Sequence, residues 1–140
     1  MNAHRVAAYV STAVVAVAVA VGLYVAGSPA EQRLQRLDGR RVADLQRLER
    51  AIDLHYTRTG ELPAALDRLV DGRLLSSLPR DPETDEPYEL NVTDDARFEL
   101  CAEFRRASTL EPGDSFWSHG AGRQCFEFDY SDRRPPPAAR

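Results

Sequence analysis

The sequence predicts an α+β fold, with an N-terminal transmembrane helix and a long amphipathic helix packed on a small three-stranded antiparallel sheet. Three observations predict it. An uncharged apolar run lies near the start of the 140 residues. A stretch with the 3.6-residue period of an amphipathic helix follows it. Three short segments in the second half have the properties of strands, with clean alternation of apolar and polar residues in two of them.

The apolar run, Val6–Ala26, is 21 residues long and contains no charged residue. That length matches a hydrocarbon core of about 30 Å. After a short tail of residues 1–5, we therefore expect residues 6–27 to form a retained, single-pass anchor in the lipid bilayer. A cleaved signal peptide is the alternative, because small residues follow the run at Ser28-Pro29-Ala30. The apolar stretch of a signal peptide is usually shorter, about 7–15 residues.

The long amphipathic helix is predicted over residues 28–59. Ser28 and Glu31 form a Ser-x-x-Glu capping box, and Gly60 favours the backbone geometry that follows a helix end. One face carries the apolar residues Leu34, Leu37, Leu45, Leu48, Ile52 and Tyr56. Charged residues weaken this stripe at 38–41, so we expect the first turns to stand clear of the head as a stalk. The complete head, stalk included, spans residues 28–131.

The remaining elements are short. A second helix is predicted from Pro63 to about Val70, and residues 81–87 are predicted to form a solvated acidic turn. The strands are predicted at Tyr88–Val92, Arg97–Phe104 and Gln124–Tyr130. Residues 132–140 contain three consecutive prolines and little that could pack, so a disordered tail is expected.

The two cysteines fall on the same face of two predicted strands. The Phe and Leu residues of those strands occupy the other face, which we expect to pack on the long helix. Cys101 and Cys125 can then form a disulfide if the strands are neighbours in register. Closing a loop of about 25 residues would contribute roughly 3 kcal/mol to stability.

Two observations conflict on the side of the membrane that holds the head. Arginines follow the apolar run more often than they precede it, and the positive-inside rule then places the head in the cytoplasm. A disulfide instead requires an oxidising compartment. We give the disulfide more weight and predict a cell-membrane protein with an extracytoplasmic head.

Composition argues against several classes of function. The net charge is −4, and residues 81–132 hold fourteen acidic residues against four arginines. An acidic head does not suit nucleic acid, which requires clustered positive charge. We predict no cofactor, no metal site and no catalytic residues. His55, His119 and the two cysteines lack the close pairs typical of zinc sites, and the acids of residues 81–86 fit no EF-hand order.

One cluster has the residue types of a binding surface. Phe116, Trp117, His119 and Arg123 lie close together in sequence, and Trp, Phe and Arg are common anchors of protein interfaces. We consider them a candidate partner patch. The alternative is that Phe116 and Trp117 fold back over the strands beside the disulfide.

The order of elements resembles the pseudopilins, above all the major pseudopilin of type II secretion. The resemblance is most specific in Leu78-Pro79-Arg80-Asp81-Pro82 and Pro87-Tyr88, and extends over about residues 6–104. It implies a structural subunit, with self-association through the long helix. Residues 115–130 look more like the end of a group of uncharacterised bacterial membrane-anchored proteins with this layout, a group that supplies no activity.

The sequence thus predicts a non-enzymatic, membrane-anchored extracytoplasmic structural or interaction protein whose partner is unknown. A subunit of a pilus-like or type II secretion assembly is the first alternative. An anchored hydrolase or redox enzyme is the second, although no set of nucleophile, base and metal ligands supports it.

Overall fold

The computed structural model describes residues 3–26, 28–109 and 115–132. The chain divides into two compact units, Met1–Leu34 and Gln35–Arg140. The helices and strands, in order, are α1 (Ala3–Ala26), α2 (Pro29–Thr59), a 3-10 turn (Leu66–Leu69), β1 (Glu89–Asp94), β2 (Arg97–Phe104) and β3 (Gly122–Asp129).

The helix α1 contains the apolar run, and its side chains are exposed from residue 3 to residue 25. By length and composition it could cross a membrane, and a signal sequence would meet the same criteria. The prediction of one long apolar helix near the N-terminus is therefore confirmed in its length and composition.

The helix α2 has the predicted bounds to within one residue. Ser28 Oγ accepts a hydrogen bond from the Glu31 amide at 3.2 Å, which satisfies one of the unpaired amides of the first turn. At the other end Gly60 has φ 78° and donates its amide to the Tyr56 carbonyl at 2.8 Å. A glycine adopts this left-handed geometry without steric cost, so the helix ends here.

The sheet has the order β1-β2-β3, and both strand pairs are antiparallel. A tight turn at Asp95-Ala96 joins β1 to β2, and the Asp95 amide donates to Asp94 Oδ1. In the second pair Cys101 lies directly opposite Cys125. The α+β class and the three antiparallel strands are therefore confirmed.

One core joins α2 to the apolar face of the sheet. Tyr56 of α2 and Tyr130, just after β3, have ring centroids 5.4 Å apart. The Tyr130 hydroxyl donates to Glu49 of α2 at 2.9 Å. The apolar stripe packs on the sheet as predicted. The core consists of Leu45, Leu48, Ala51, Ile52, Tyr56, Leu66, Leu69, Leu75, Tyr88, Phe98, Leu100, Ala102, Phe104, Phe126 and Tyr130.

The predicted second helix is wrong in type and length. Only Leu66–Leu69 is helical, as a single 3-10 turn, with both leucines buried. The residue before it, Ala65, has an extended backbone and offers no side-chain cap. The chain then turns back, with the Leu75 amide bonded to the Leu69 carbonyl. Two buried leucines therefore hold the segment on the core without a longer helix.

The prediction that the turns around residues 38–41 stand clear of the head is also wrong. Asp38 is 4% exposed and Arg41 is 1% exposed. Both belong to the unit that contains the sheet. Asp38 and Arg41 are buried because each has partners of opposite charge or polarity within the head, whereas Arg40 is exposed. The expected disordered tail covers residues 132–140, of which 133–140 lie outside the described residues.

Candidate functional site

The most unusual feature of the head is a buried ionic cluster around Arg41. Its guanidinium forms a bidentate salt bridge with Asp81, in which Nε donates to Oδ2 at 2.6 Å and Nη2 donates to Oδ1 at 3.0 Å. It also donates to Asp38 at 2.8 Å and to Glu83 at 2.9 Å. Glu83 in turn accepts from Arg105 at 2.8 Å. We call these five residues the Arg41 cluster.

The Arg41 cluster joins three segments that are far apart in sequence. Asp38 lies on α2 and accepts the backbone amides of Arg105 and Arg106, at 3.0 and 2.9 Å. Asp81 accepts the amides of Glu83 and Thr84, at 2.9 and 3.1 Å, and so shapes its own turn. Because Asp38 and Asp81 each bond both to Arg41 and to backbone amides, the cluster fixes the turn after residue 80 and the end of β2 against α2.

The prediction of a solvated acidic turn is wrong for Asp81, which is buried, although residues 83–87 are exposed. Burial opposes ionisation of Asp81, but hydrogen bonds from Arg41 and two backbone amides outweigh it and hold the pKa of this carboxyl below its ordinary 3.8. The contact with Asp81 is the largest cause that raises the pKa of Arg41, with smaller contributions from Glu83 and Asp38. Both groups are therefore charged at neutral pH.

This arrangement predicts a loss of stability in acid. A carboxyl with a lowered folded-state pKa stabilises the fold above its unfolded-state pKa, and the contribution disappears as the pH falls through the folded-state value. We expect the free energy of unfolding to stay nearly level from pH 7 to 5 and to fall below about pH 4. Urea titrations at each pH would measure it. If the free energy of unfolding of Asp81→Asn fell as steeply below pH 4 as that of the wild type, Asp81 would not be the cause of the acid sensitivity.

The opposite face of the sheet carries the disulfide. Cys101 and Cys125 are bonded directly across β2 and β3. Arg123 of β3 reaches over β2 to Glu89 of β1, with Nη2 to Oε2 at 2.8 Å, and passes 3.6 Å from Cys101 Sγ. The ion pair thus helps to cover Cys101, which is almost fully buried.

The disulfide should stabilise the head measurably. Its two cysteines are 24 residues apart, and closing such a loop restricts the unfolded chain by about 3 kcal/mol. We expect the double variant Cys101→Ala, Cys125→Ala to lose about that much free energy of unfolding. Denaturation followed by Trp117 fluorescence would measure it. The wild type under reducing conditions should match the variant, and an unchanged transition midpoint in both would contradict the expectation.

The predicted partner patch is only partly brought together. The Phe116 ring lies 5.1 Å from Phe128, and the Trp117 ring lies 4.8 Å from Phe126, both measured between centroids. Trp117 and Phe128 are half-buried, whereas Phe116 is 56% exposed. These aromatic residues fold over the apolar side of β3 and still present a surface. We call Phe116, Trp117 and Phe128 the aromatic patch.

The other two members of the predicted patch lie elsewhere. His119 stacks on Phe104 with 3.7 Å between ring centroids, and its Nδ1 donates to the Gly120 carbonyl at 3.1 Å. Arg123 lies on the disulfide face, opposite the side of β3 that Trp117 covers. Alternation along β3 explains the separation, because Arg123 and Phe126 point to opposite faces.

A groove of about 390 Å³ lies beside the aromatic patch. One wall is a stripe of α2, and the other comes from the segments on either side of residues 110–114. The α2 wall consists of Gln35, Asp38, Gly39, Val42 and Gln46, and the other wall of Arg106, Ala107, Ser108, Thr109, Ser115, Trp117 and His119.

One group of potential metal ligands occurs among residues 3–26, 28–109 and 115–132, formed by Glu99, Cys101 and Cys125. The two sulfur atoms are bonded to each other, so neither is the thiolate that binds zinc. Glu99 alone makes no metal centre.

Comparison with known proteins does not assign the site. The chain matches no protein-family description, and no curated protein or solved structure is significantly similar to it. Its function must therefore be inferred from its own residues.

Proposed function

We propose that this protein is a membrane-anchored extracytoplasmic interaction protein that binds a protein partner through its aromatic patch. The apolar helix α1 carries the proposal. It has 24 residues, and none of its side chains is covered from residue 3 to residue 25. A soluble protein rarely exposes so large an apolar surface to water, whereas a bilayer would cover it.

The disulfide supports an extracytoplasmic head. Cys101 and Cys125 lie directly opposite each other on β2 and β3. Disulfides form and persist in oxidising compartments and are rare in the cytosol. The arginines after α1 favour the opposite topology, so an experiment must decide between the two.

The aromatic patch supports a binding role. Phe116 is more than half exposed, although its neighbours Trp117 and Phe128 are half-buried. Phe116 and Trp117 lie in the turn before β3 and pack on its aromatic residues. Aromatic side chains make good interface anchors, because they lose little conformational entropy on binding.

Topology can be tested with reporter fusions to the full chain. We expect alkaline phosphatase fused after residue 132 to be active, because it requires an oxidising compartment, and a cytoplasmic fluorescent reporter at the same point to be dark. Unreduced protein should show no reactive thiol. The opposite reporter pattern, or two reactive thiols, would reject the extracytoplasmic assignment.

Partner binding can be tested with photoreactive residues in the intact membrane. Crosslinks from a photoreactive residue at position 116 to a distinct protein, lost in Trp117→Ala, would support the patch. Arg47, which is 62% exposed on α2, serves as the second position. Self-crosslinks from Arg47 with none from Phe116 would favour the pilus-like alternative and reject the patch. The absence of protein crosslinks at both positions would also reject it.

A further inference from the structure

The groove beside the aromatic patch has an unusual helical wall. Gln35, Gly39, Val42 and Gln46 recur at spacings of four, three and four residues, so they form one stripe of α2. This stripe is distinct from the leucines that face the core. Its two carboxamides lie about three turns apart at either end of the groove, and Gly39 and Val42 lie between them.

Gly39 keeps this wall open. It lies inside a long helix, where alanine would be the better helix former. A methyl group at this position would meet no other atom within 4 Å. Neither close packing nor an unusual backbone conformation therefore accounts for the glycine. Its effect is to leave free space against the helix backbone, next to Val42 and opposite the Trp117 segment.

The lining of the groove mixes polar and apolar groups and contains little uncompensated charge. Asp38 lines it, but both carboxylate oxygens are occupied by Arg41 and the amides of Arg105 and Arg106. Arg106 is the opposing charge in the lining. The other polar groups are carboxamides, hydroxyls and the His119 imidazole. The hydroxyls of Ser108 and Ser115 and the imidazole also bond to neighbouring groups of the same segment. Trp117 adds an aromatic surface.

We propose that this groove binds a short neutral saccharide. A sugar ring has an apolar C–H face that suits an aromatic side chain, and a rim of hydroxyls that pair with carboxamides and hydroxyls. The volume lies within the usual range for small-molecule sites, roughly 300–1,000 Å³. An extended peptide is the less suitable occupant. Such peptides commonly pair with a strand edge, and the lining residues belong to α2 or to the segments between β2 and β3.

The chain contains one tryptophan, so its fluorescence reports on this groove without interference. The full chain would be held in lipid nanodiscs, because many mild detergents carry sugar head groups. Cellotriose, maltotriose and the trimer of N-acetylglucosamine are the probes. We expect at least one to produce a saturable change in Trp117 fluorescence, with half-saturation at or below about 1 mM.

Two matched variants localise the binding. Gly39→Leu fills the groove, whereas Ala43→Leu adds the same side chain at an exposed position one turn along α2. We expect at least tenfold weaker binding in Gly39→Leu and unchanged binding in Ala43→Leu. Gln46→Leu should also bind at least tenfold more weakly. Circular dichroism would confirm that each variant is folded.

Three outcomes would overturn the proposal. The first is that the folded wild type responds to none of the three saccharides. The second is that Gly39→Leu binds as tightly as Ala43→Leu. The third is that trialanine binds at the groove and the saccharides do not. Because the titration uses the purified full chain in nanodiscs, its result does not depend on membrane topology or on a protein partner.

Discussion

Arg41→Met is expected to lower the free energy of unfolding by about 3–5 kcal/mol, as is usual when one partner of a buried ion pair is removed. Methionine replaces most of the volume of the side chain but none of its charge. Asp38 and Asp81 would then be buried carboxylates without their cation. Chemical denaturation followed by Trp117 fluorescence would measure the loss.

The neighbouring position provides the control. Arg40 is exposed on the same turn of α2, so Arg40→Met should change stability by less than about 0.5 kcal/mol. Asp81→Asn should be destabilising alone, but its cost should not add fully to that of Arg41→Met, because the double variant removes both charges of one contact. Fully additive losses, or equal losses at positions 40 and 41, would contradict this account.

Phe98→Ala is expected to cost about 3–5 kcal/mol, the usual range for truncating a buried phenylalanine. Phe98 is 1% exposed in the central strand β2. Its ring stacks on Phe128 at 4.9 Å and meets Tyr130 edge-on at 5.2 Å. Truncation would remove both contacts and leave a cavity between the sheet and α2.

The matched control for Phe98→Ala is Phe116→Ala, the same substitution at a residue that is 56% exposed. Its cost should be below about 1 kcal/mol, because less apolar surface leaves water there. Thermal unfolding by circular dichroism would compare the two variants. A similar loss at both positions would show that Phe116 is part of the core and would weaken its assignment to a binding surface.

Local patterns were sufficient to predict most of the fold. The capping residues and Gly60 locate the ends of α2, and alternation located β2 at the residues observed. The pairing of Cys101 with Cys125 followed from the faces of two strands. These features depend on neighbours in sequence or on period-two geometry, which a single chain displays directly.

The Arg41 cluster was missed because its partners are distant in sequence. Arg41 contacts Asp81 forty residues later, and no local rule links them. One signal was available. Positions 38, 41, 45, 48 and 52 have the spacing of a single helical face, so the two charged residues continue the buried stripe instead of interrupting it. Alternation along β3 could also have predicted that Arg123 lies away from Trp117, because Trp117 packs on Phe126, which points to the opposite face.

The partners within the Arg41 cluster lie far apart in sequence. This separation affects how the head can fold during synthesis. Asp38 and Arg41 emerge early, but their partners follow 40 to 68 residues later, and Tyr130 meets Glu49 across 81 residues. Contacts of such high sequence separation slow folding, because a long loop must close before any of them stabilises the chain. A nascent chain that ends before Arg105 has neither the amides that Asp38 binds nor β3. The amphipathic face of α2 therefore stays only partly covered until the last strand is made, because Phe126 and Tyr130 complete the core.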